Sequence, residues 1–569
     1  MIQKLAQKGH HTPHYNQLWL GEKDHTRRVW RICLMLAISV AFFLILAYRI
    51  DKAPDIHVDE IIYYRAAFNL ATEGEFAWHI DPIFVHPPLQ FMSQALFLGL
   101  TGLADTFLPF AGTYSVRLVN ALAAAITVAM LFHLIERLGG LRAALITLTI
   151  LILDPFVVRI NRRNYLETMA EMWVVMGLYF FWRERDHLNL RKMLFIGTIF
   201  GLGLLTKELT IFGYAVIPLF VILAGRWRDL KKVIFMGSVA LLLWSLFPFW
   251  AWSLGRWDQF VESKTYTLRR LLGLVQITGW NRPEVSFVDA LSVNLPQYIT
   301  SYSLILIGLV VMLLLFFTWR DERGRFVLAW VGMMYLFCAY LVVAGTLNDQ
   351  FFYYLMVPVI TTIGTMVVRW LDLLNGSQQH APKKAGVLIL TKKIPQAVPV
   401  LLADWLKRLD QRLLLIADWL TGVGQKIARH KRANSLLLLT VLLGVLIQSY
   451  NTYRWIKLFA IEEDNGLHQL TQHIQETIPA GTTINSMDRE MTLGLMLPEY
   501  KIVAPRNPTE IQAGQVEYAI LSSKYLWGRY GDITPDYYEW VEANGEALFS
   551  TYGNTFWQVT LYRLELGQE

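Results

Sequence analysis

The chain has 569 residues, of which 54% are hydrophobic and 17% are charged, with a formal net charge of +7. Soluble globular domains have a charged fraction of about a quarter, so this composition excludes that class. Repeated apolar stretches of about 18 to 22 residues are each long enough to cross the hydrocarbon core of a bilayer. The basic residues lie in short loops between these stretches, where they set membrane topology, so the net charge does not indicate nucleic acid. The sequence therefore predicts a polytopic membrane protein.

The apolar segments predict about eleven transmembrane helices. Their expected ranges are 29–48, 115–136, 141–158, 166–182, 192–206, 209–224, 232–253, 301–318, 325–344, 351–368 and 435–452. A short apolar segment at 88–104 decides the topology, because the basic clusters of the later loops share the side of the N-terminus only if this segment does not cross. We therefore expect 88–104 to be a juxtamembrane or re-entrant helix. The N-terminus is then cytoplasmic, and the C-terminus lies outside the cell membrane.

This topology divides the chain into five regions. They are a cytoplasmic tail at 1–28, the main transmembrane region at 29–368, a cytoplasmic segment at 369–434, a last span at 435–452 and an external domain at 460–569. Apolar residues recur at helical spacing late in the cytoplasmic segment, with basic residues opposite them. This pattern predicts an amphipathic helix on the inner membrane surface.

The external domain has the composition of a soluble domain, and its pattern of strands and one helix predicts a small α/β fold. The expected fold class is therefore an all-α polytopic membrane protein with juxtamembrane helices in the first external loop, plus this C-terminal α/β domain.

Ionisable residues gather on the predicted external face. Such groups are costly to desolvate at a membrane boundary, so they are candidates for a functional site. The set comprises Asp59, Glu60, Arg65, His79 and His86 from the first loop, Arg159, Arg162, Arg163 and Glu167 from the second, Lys207 and Glu208 from the third, and Lys264, Arg269 and Arg270 from the fourth. The arginines at 159–163 depart from the positive-inside bias. An anion at the outer surface would explain them, as would lipid headgroups or a pair with Glu167.

Carboxylates beside several cations at membrane level suit the transfer of a group from a lipid phosphate to a hydroxyl or an amine. A carboxylate can accept the proton of the acceptor as a general base, and cations stabilise the phosphate that leaves. Two other functions stay open at this point: a transporter or flippase of a polar or lipid-linked solute, and a scaffold whose external domain binds a partner. A transporter would favour charges near the bilayer midplane, whereas here they gather on one face.

Four motifs in chain order resemble the GT-C glycosyltransferases, specifically the branch of the protein mannosyltransferases and the lipid A aminoarabinose transferases. The motifs are Val58-Asp59-Glu60 with Tyr63, His86-Pro87-Pro88-Leu89, Asn164-Tyr165-Leu166-Glu167-Thr168-Met169, and Gly203-Leu204-Leu205-Thr206-Lys207. The resemblance covers roughly residues 30–370. It departs from the aminoarabinose enzymes at three positions, where those enzymes have an arginine for Ile62, a lysine for His86 and an aspartate for Glu167.

The resemblance implies an inverting transfer of one sugar from a polyprenyl-phosphate donor to a lipid, glycan or protein acceptor on the external face. By that resemblance Asp59 would be the general base and Glu60 its supporting partner, with Glu167 as a further catalytic carboxylate. Lys207 and His86 would contact the lipid phosphate, and Tyr63 would line the donor site. Further candidates for phosphate binding are Arg65, Arg162, Arg163 and Arg269.

A cofactor is not implied by any residue pattern. His57, Asp59, Glu60 and His86 could compose a divalent metal site, but their spacing is not diagnostic of one. Membrane lipids are the other expected partners, because the donor's lipid tail would lie between the spans.

Overall fold

A computed structural model describes residues 22–77, 83–275, 288, 292, 295–318, 321–344, 347–374, 431–486, 492–504, 507–527, 535–555 and 557–565. The amphipathic helix predicted late in 369–434 lies outside these residues, as does most of the predicted tail 1–28. The loop predicted at 254–300 is described only in part.

The first part of the chain is helical, and the segments predicted to cross the membrane are helical. Two of these segments, 141–158 and 232–253, each consist of a pair of helices. The helices up to residue 271 are α1 (Glu22–Ala47), α2 (Val58–Thr72), α3 (Leu89–Thr101), α4 (Pro109–Gly139), α5 (Leu141–Ile152), α6 (Pro155–Arg162), α7 (Leu166–Glu184), α8 (Leu190–Thr206), α9 (Thr210–Leu223), α10 (Leu230–Trp244), α11 (Leu246–Ser253) and α12 (Trp257–Leu271). The later ones are α13 (Ile299–Thr318), α14 (Glu322–Ala344), α15 (Phe352–Leu374) and α16 (Lys431–Ile456).

Six helical segments among the described residues are long and apolar enough to cross a membrane, and a seventh is added if one bent pair counts as a single span. The chain is thus a multi-pass membrane protein. Of the other segments predicted to cross, α8 and α9 are helices of 17 and 14 residues, whereas α7 has 19 residues and α16 has 26. The number of about eleven spans stays a prediction.

The bent pair is α5 and α6, which meet at an angle of 69°. The sequence predicted one straight span over 141–158, and the structure corrects this. The Asp154 carboxylate accepts a hydrogen bond of 2.9 Å from the Val157 amide and caps a new helix, while Pro155 occupies its first turn. A cap followed by proline starts a helix rather than continuing one.

The first loop, which joins α1 to α4 and is predicted to be external, carries α2 and α3, which pack against each other. A capping box starts α2: the His57 side chain accepts from the helix, and the Glu60 carboxylate accepts from the His57 amide at 2.9 Å. Pro88 precedes α3, and Gly102 ends it in the left-handed conformation with φ 72°. The segment predicted at 88–104 is therefore a helix of 13 residues. At about 1.5 Å per residue it is shorter than a hydrocarbon core of about 30 Å.

The C-terminal domain is α/β, as predicted. Its helices are α17 (Gly466–Thr477), α18 (Leu493–Met496), α19 (Pro508–Ala513), α20 (Ser523–Trp527) and α21 (Pro535–Asn544), and its strands are β1 (Thr483–Asn485), β2 (Lys501–Val503), β3 (Tyr518–Ser522), β4 (Gly545–Gly553) and β5 (Trp557–Leu564). The five strands form one sheet in the order β2-β1-β3-β5-β4. β1 pairs in parallel with β2 and β3, whereas β5 pairs antiparallel with β3 and β4.

The C-terminal domain docks on the first external loop. One buried apolar cluster contains Ile56 and Tyr64 of the loop together with Leu467, Leu470 and Ile520 of the domain. Polar contacts reinforce it, since the Asp55 carboxylate accepts from the Leu467 amide at 2.6 Å. Burial of apolar surface is the main favourable term in such contacts. The domain therefore stands directly over the N-terminal end of α2.

Candidate active site

Glu60 is the structural anchor of the candidate site. Its two oxygens accept bonds of 2.9 Å each from the Arg117 guanidinium, and both side chains are fully buried. The same carboxylate accepts from the Asn164 amide at 2.7 Å and from the His57 amide at 2.9 Å. A buried carboxylate with this many donors is held in one geometry. Glu60 therefore joins α2, α4 and the segment before α7.

Asn164 belongs to the motif that contains Glu167, and it brings that motif next to Glu60. Its side-chain oxygen accepts from Gln90, at 3.1 Å, and from Gln94 of α3. Gln90 and Gln94 are one helical turn apart, so both can reach one acceptor. The helix that follows the two prolines is thereby fixed against the motif around Glu167.

Asp59 is the accessible carboxylate of the site. Its side chain is 37% exposed, and the His57 Nδ1 atom lies 3.9 Å from its carboxylate. Desolvation by the surrounding protein, and then the negative charge of Glu167, raise the pKa of Asp59 to about 6. The positive charges of Lys207 and Arg270 oppose this shift. Four residues from distant parts of the chain thus share one electrostatic environment.

Glu167 and Lys207 form a buried ion pair. Glu167 lies in the first turn of α7, and Lys207 is the residue at which α8 ends. The turn between α8 and α9 is tight: a Cβ atom on Gly203 would lie 2.5 Å from the Thr210 Cγ2 atom. Glycine at this position allows the close approach that directs Lys207 toward Glu167. The Lys207 ammonium also lies 5.2 Å from the centre of the Phe351 ring.

His86 and Tyr63 line the side of the site next to these cations. The Tyr63 hydroxyl and His86 Nε2 are 3.0 Å apart, and the two rings meet edge to face. Burial, and then the charges of Lys207 and Lys264, hold the pKa of His86 well below its usual range. His86 is therefore neutral near pH 7 and acts as a hydrogen-bonding group, not as the cation that a lysine would be.

The structure places several other predicted residues outside this group. Arg65 stacks on Phe107, with its guanidinium carbon 4.5 Å from the ring centre, on another side of α2 from Asp59. Arg162 is fully buried and donates to the backbone carbonyls of Ala53, at 2.9 Å, and Arg49, at 2.8 Å. Its guanidinium fixes the segment that follows α1, so these donors are already used.

Arg163 and Arg269 also differ from their expected positions. Arg163 donates to the Tyr165 hydroxyl at 2.8 Å and to the Thr555 hydroxyl of the C-terminal domain at 2.9 Å. Arg269 is exposed on α12, whereas the next residue, Arg270, is near enough to influence Asp59 and His86. One position along a helix rotates a side chain by about 100°, and sequence alone did not determine which arginine faces inward.

Arg117 is the functional residue that sequence reasoning missed. It lies near the N-terminal end of α4, within a segment read as an apolar span. A charged residue inside such a segment is itself a signal, because it must find a partner. Among the described residues, no three His, Cys, Asp or Glu side chains come together in a way that could hold a metal ion.

Comparison with known proteins agrees with this architecture. The model of the family described as dolichyl-phosphate-mannose-protein mannosyltransferase matches residues 85–252, whereas no curated protein sequence matches the chain. The crystal structure of ArnT from Cupriavidus metallidurans bound to undecaprenyl phosphate is similar, at 14% identity and a TM-score of 0.55, over 94% of this chain and 98% of that one. The same enzyme in the apo state gives a TM-score of 0.51 at 15% identity, over the same shares of the two chains.

A more distant enzyme shows the same overall arrangement. The oligosaccharyltransferase of Archaeoglobus fulgidus in the apo form has a TM-score of 0.50 at 12% identity, over 95% of this chain and 74% of that one. At such identities the likeness shows the fold alone. The chain therefore shares the fold of ArnT and of this oligosaccharyltransferase, and its residues 85–252 are similar to the dolichyl-phosphate-mannose-protein mannosyltransferase family.

Proposed function

We propose that the protein transfers one sugar from a polyprenyl-phosphate donor to a hydroxyl or amine of an acceptor on the external face of the cell membrane. In this proposal the N-terminus is cytoplasmic and the C-terminal domain is external. One observation carries the proposal: of the three predicted catalytic carboxylates, Asp59 alone is accessible, while Glu60 and Glu167 are buried in ion pairs. Cations of two other segments act on it: Lys207 at the end of α8 and Arg270 of α12.

Asp59 is suited to act as the general base. Among the described residues its carboxylate oxygens accept no hydrogen bond, so they can receive the proton of an incoming hydroxyl. A pKa of about 6 leaves the carboxylate ionised at pH 7, yet makes it a stronger base than an ordinary aspartate. Glu60 is a positioning residue, since its four bonds hold the start of α2 and thus Asp59.

The leaving phosphate would face the cations on the His86 side of Asp59. The charges of Lys207, Lys264 and Arg270 all lower the pKa of His86, so these three residues lie around the same part of the site. Lys264 pairs with Glu208 and donates to the Val85 carbonyl at 3.2 Å, beside the motif that contains His86. Negative charge that develops on the phosphate as the sugar departs is stabilised by such preorganised donors. No soluble nucleotide is needed, because the lipid tail holds the donor at the membrane.

A single displacement fits the carboxylates better than a covalent intermediate. A retaining mechanism needs two carboxylates about 5 Å apart, one as nucleophile and one as acid and base. Within the described part of the site, Glu60 is held by Arg117, Glu167 by Lys207 and Glu208 by Lys264, so each carboxylate other than Asp59 is engaged in an ion pair. The proposed transfer therefore inverts the configuration of the sugar.

The test is sugar transfer by purified protein with a panel of polyprenyl-phosphate sugars, followed as donor consumption by mass spectrometry. We expect Asp59→Asn to reduce the rate by about 10²–10⁴-fold, because it removes the base with little change in shape. Asp258→Asn, the same substitution at an exposed residue of α12, is the matched control and should keep the wild-type rate. Full activity of Asp59→Asn, or consumption of no donor by the wild type, would contradict the proposal.

A further inference from the structure

A second group of cations lies near His57, apart from the cations that act on His86. We call it the Lys524 cluster, and it consists of Arg159 of α6, Arg163 just after it, and Lys524 of α20. His57 separates the Lys524 cluster from Asp59, since its Nδ1 atom is 3.9 Å from the Asp59 carboxylate.

The two histidines of the site show that these are two distinct groups of cations. His86 is influenced by Lys207, Lys264 and Arg270. The cations that act on His57 are instead Arg163, Lys524 and Arg159, in that order of strength. The electrostatic field on one side of Asp59 therefore arises from the membrane helices and α12. On the other side it arises from the 155–163 segment and the C-terminal domain.

Positive charge exceeds negative charge in the Lys524 cluster. Arg159 pairs with Asp349 at 2.5 Å, whereas the partners of Arg163 are two neutral hydroxyls. One of these hydroxyls, that of Thr555, donates in turn to Asp464 at 2.9 Å. Three cations thus meet two carboxylates.

The arginines of the cluster are not fully satisfied. The Nε atoms of both Arg159 and Arg163 are buried without a hydrogen-bond partner. Unpaired buried donors are costly, so a bound acceptor that reaches them would be stabilised.

Lys524 is the member of the cluster that a ligand can reach. It is only partly buried, while Arg159 and Arg163 are 5% and 2% exposed. Within the part of the chain that the structure describes, its ammonium forms no ion pair or hydrogen bond. Burial, together with the charges of Arg159 and Arg163, lowers the pKa of Lys524 to about 8, although Asp349 opposes this shift. An anion placed there would relieve this repulsion.

We propose that the Lys524 cluster binds an anionic group, a phosphate monoester or a carboxylate, on the acceptor that receives the sugar. The inference rests on the proposed function and names the class of acceptor. Lys524 would contact the anion as a point charge, and Arg159 and Arg163 would lie behind Lys524. His57 would lie between the bound anion and Asp59. The acceptor's nucleophile then reaches Asp59 from the side opposite to the leaving phosphate, as an inverting displacement requires.

The experiment measures binding, so it does not depend on turnover. Full-length protein in phosphatidylcholine nanodiscs is first saturated with undecaprenyl phosphate, and this step tests binding of the donor lipid alone. The saturated protein is then titrated with glycerol 1-phosphate. Uncharged glycerol is the control probe. We expect Lys524→Ala to weaken glycerol phosphate binding about tenfold, which corresponds to one charge-assisted contact, and to leave undecaprenyl phosphate binding unchanged. Lys524→Arg should retain binding, and Lys501→Ala, an exposed lysine of β2, should match the wild type.

The outcomes separate this inference from the proposed function. If undecaprenyl phosphate fails to bind, the donor proposal is contradicted. If it binds but glycerol phosphate does not, or binds Lys524→Ala as tightly as the wild type, the acceptor inference is overturned. Displacement of glycerol phosphate by phosphatidic acid in the nanodisc would assign the anion to a lipid acceptor, and lack of displacement would assign it to a soluble one.

Discussion

At the scale of single residues, Asp59 and Glu60 show how neighbours in sequence acquire different roles. Glu60 points into protein, where Arg117 and two backbone amides hold it. Asp59, one position along, is 37% exposed and has no such donors. Because about 100° of helix rotation separates them, one carboxylate can support the helix while the other faces substrate.

The pH dependence of transfer follows from the Asp59 environment. A base with a pKa of about 6 is protonated below that pH, so kcat/KM should fall about tenfold per pH unit on the acid side of pH 6. Glu167→Gln removes a negative neighbour that raises this pKa, so the inflection should move to lower pH. The measurement is kcat/KM between about pH 4.5 and 8. An inflection that stays in place in Glu167→Gln would show that another group titrates.

Removal of Arg117 should destabilise the fold. Arg117→Met leaves the Glu60 carboxylate buried without its cation, and also removes donors to the carbonyls of Ile50, at 3.0 Å, and Pro54, at 2.7 Å. Breaking a buried pair in this way costs about 3–5 kcal/mol. The measurement is thermal unfolding of the protein in detergent, followed by tryptophan fluorescence.

The control for Arg117 is Arg142→Met, whose side chain is 78% exposed and lies 4.0 Å from Asp372. Exposed pairs contribute about 1 kcal/mol or less, so Arg142→Met should unfold near the wild-type temperature. Equal stability of the two variants would show that the Glu60 anchor is dispensable.

At the scale of elements, much of the architecture could be predicted from sequence. Apolar length and the prolines at 87–88 were enough to predict a helix at 88–104, found at Leu89–Thr101. The bend between α5 and α6 was missed, although Asp154-Pro155 is a helix-start signal inside an apolar run. The length of an apolar segment predicts whether it can cross a membrane. A helix cap inside such a segment is a local feature, and hydropathy averaged over the segment does not show it.

Predictions about individual arginines depended on facts that sequence does not contain. Arg162 binds backbone carbonyls of the segment after α1, a partner more than one hundred residues away in the chain. Arg65 faces Phe107 rather than the candidate site. The convergence of Asp59, Glu167 and Lys207, in contrast, followed from placing their loops on one face of the membrane.

The tight turn between α8 and α9 gives a prediction at the scale of elements. Gly203→Ala would place a Cβ atom 2.5 Å from the Thr210 Cγ2 atom, so overpacking should cost about 1–3 kcal/mol and displace Lys207. The second variant Gly203→Ala with Thr210→Ser removes that methyl group and should recover part of the loss. Thermal unfolding and the rate of sugar transfer measure both effects.

A matched control for this turn is Gly99→Ala in α3. A Cβ atom there meets nothing within 4 Å, so higher helix propensity should stabilise this variant by about 1 kcal/mol or less. If Gly203→Ala behaves like Gly99→Ala, the turn does not need glycine to hold Lys207 in place.

At the scale of the whole molecule, the C-terminal domain completes the membrane region. Its α17 shares a buried apolar cluster with the first external loop, and its Thr555 hydroxyl accepts from Arg163 at 2.9 Å. Since α2 carries Asp59, the docking of this domain and the position of the proposed base are mechanically linked. The membrane region therefore needs the domain to hold the first loop in place.

Weakening the docking should therefore destabilise both parts together. Leu470 of α17 is fully buried in the shared cluster, so Leu470→Ala should cost about 2–5 kcal/mol. Because that cluster includes Ile56 and Tyr64 of the first loop, limited proteolysis should cut the first loop as well as the C-terminal domain. The control is Leu548→Ala at a side chain that is 39% exposed on β4, which should leave both the unfolding temperature and the cleavage pattern unchanged. Cleavage confined to the C-terminal domain in Leu470→Ala would show that the first loop holds its position, and Asp59 with it, without the domain.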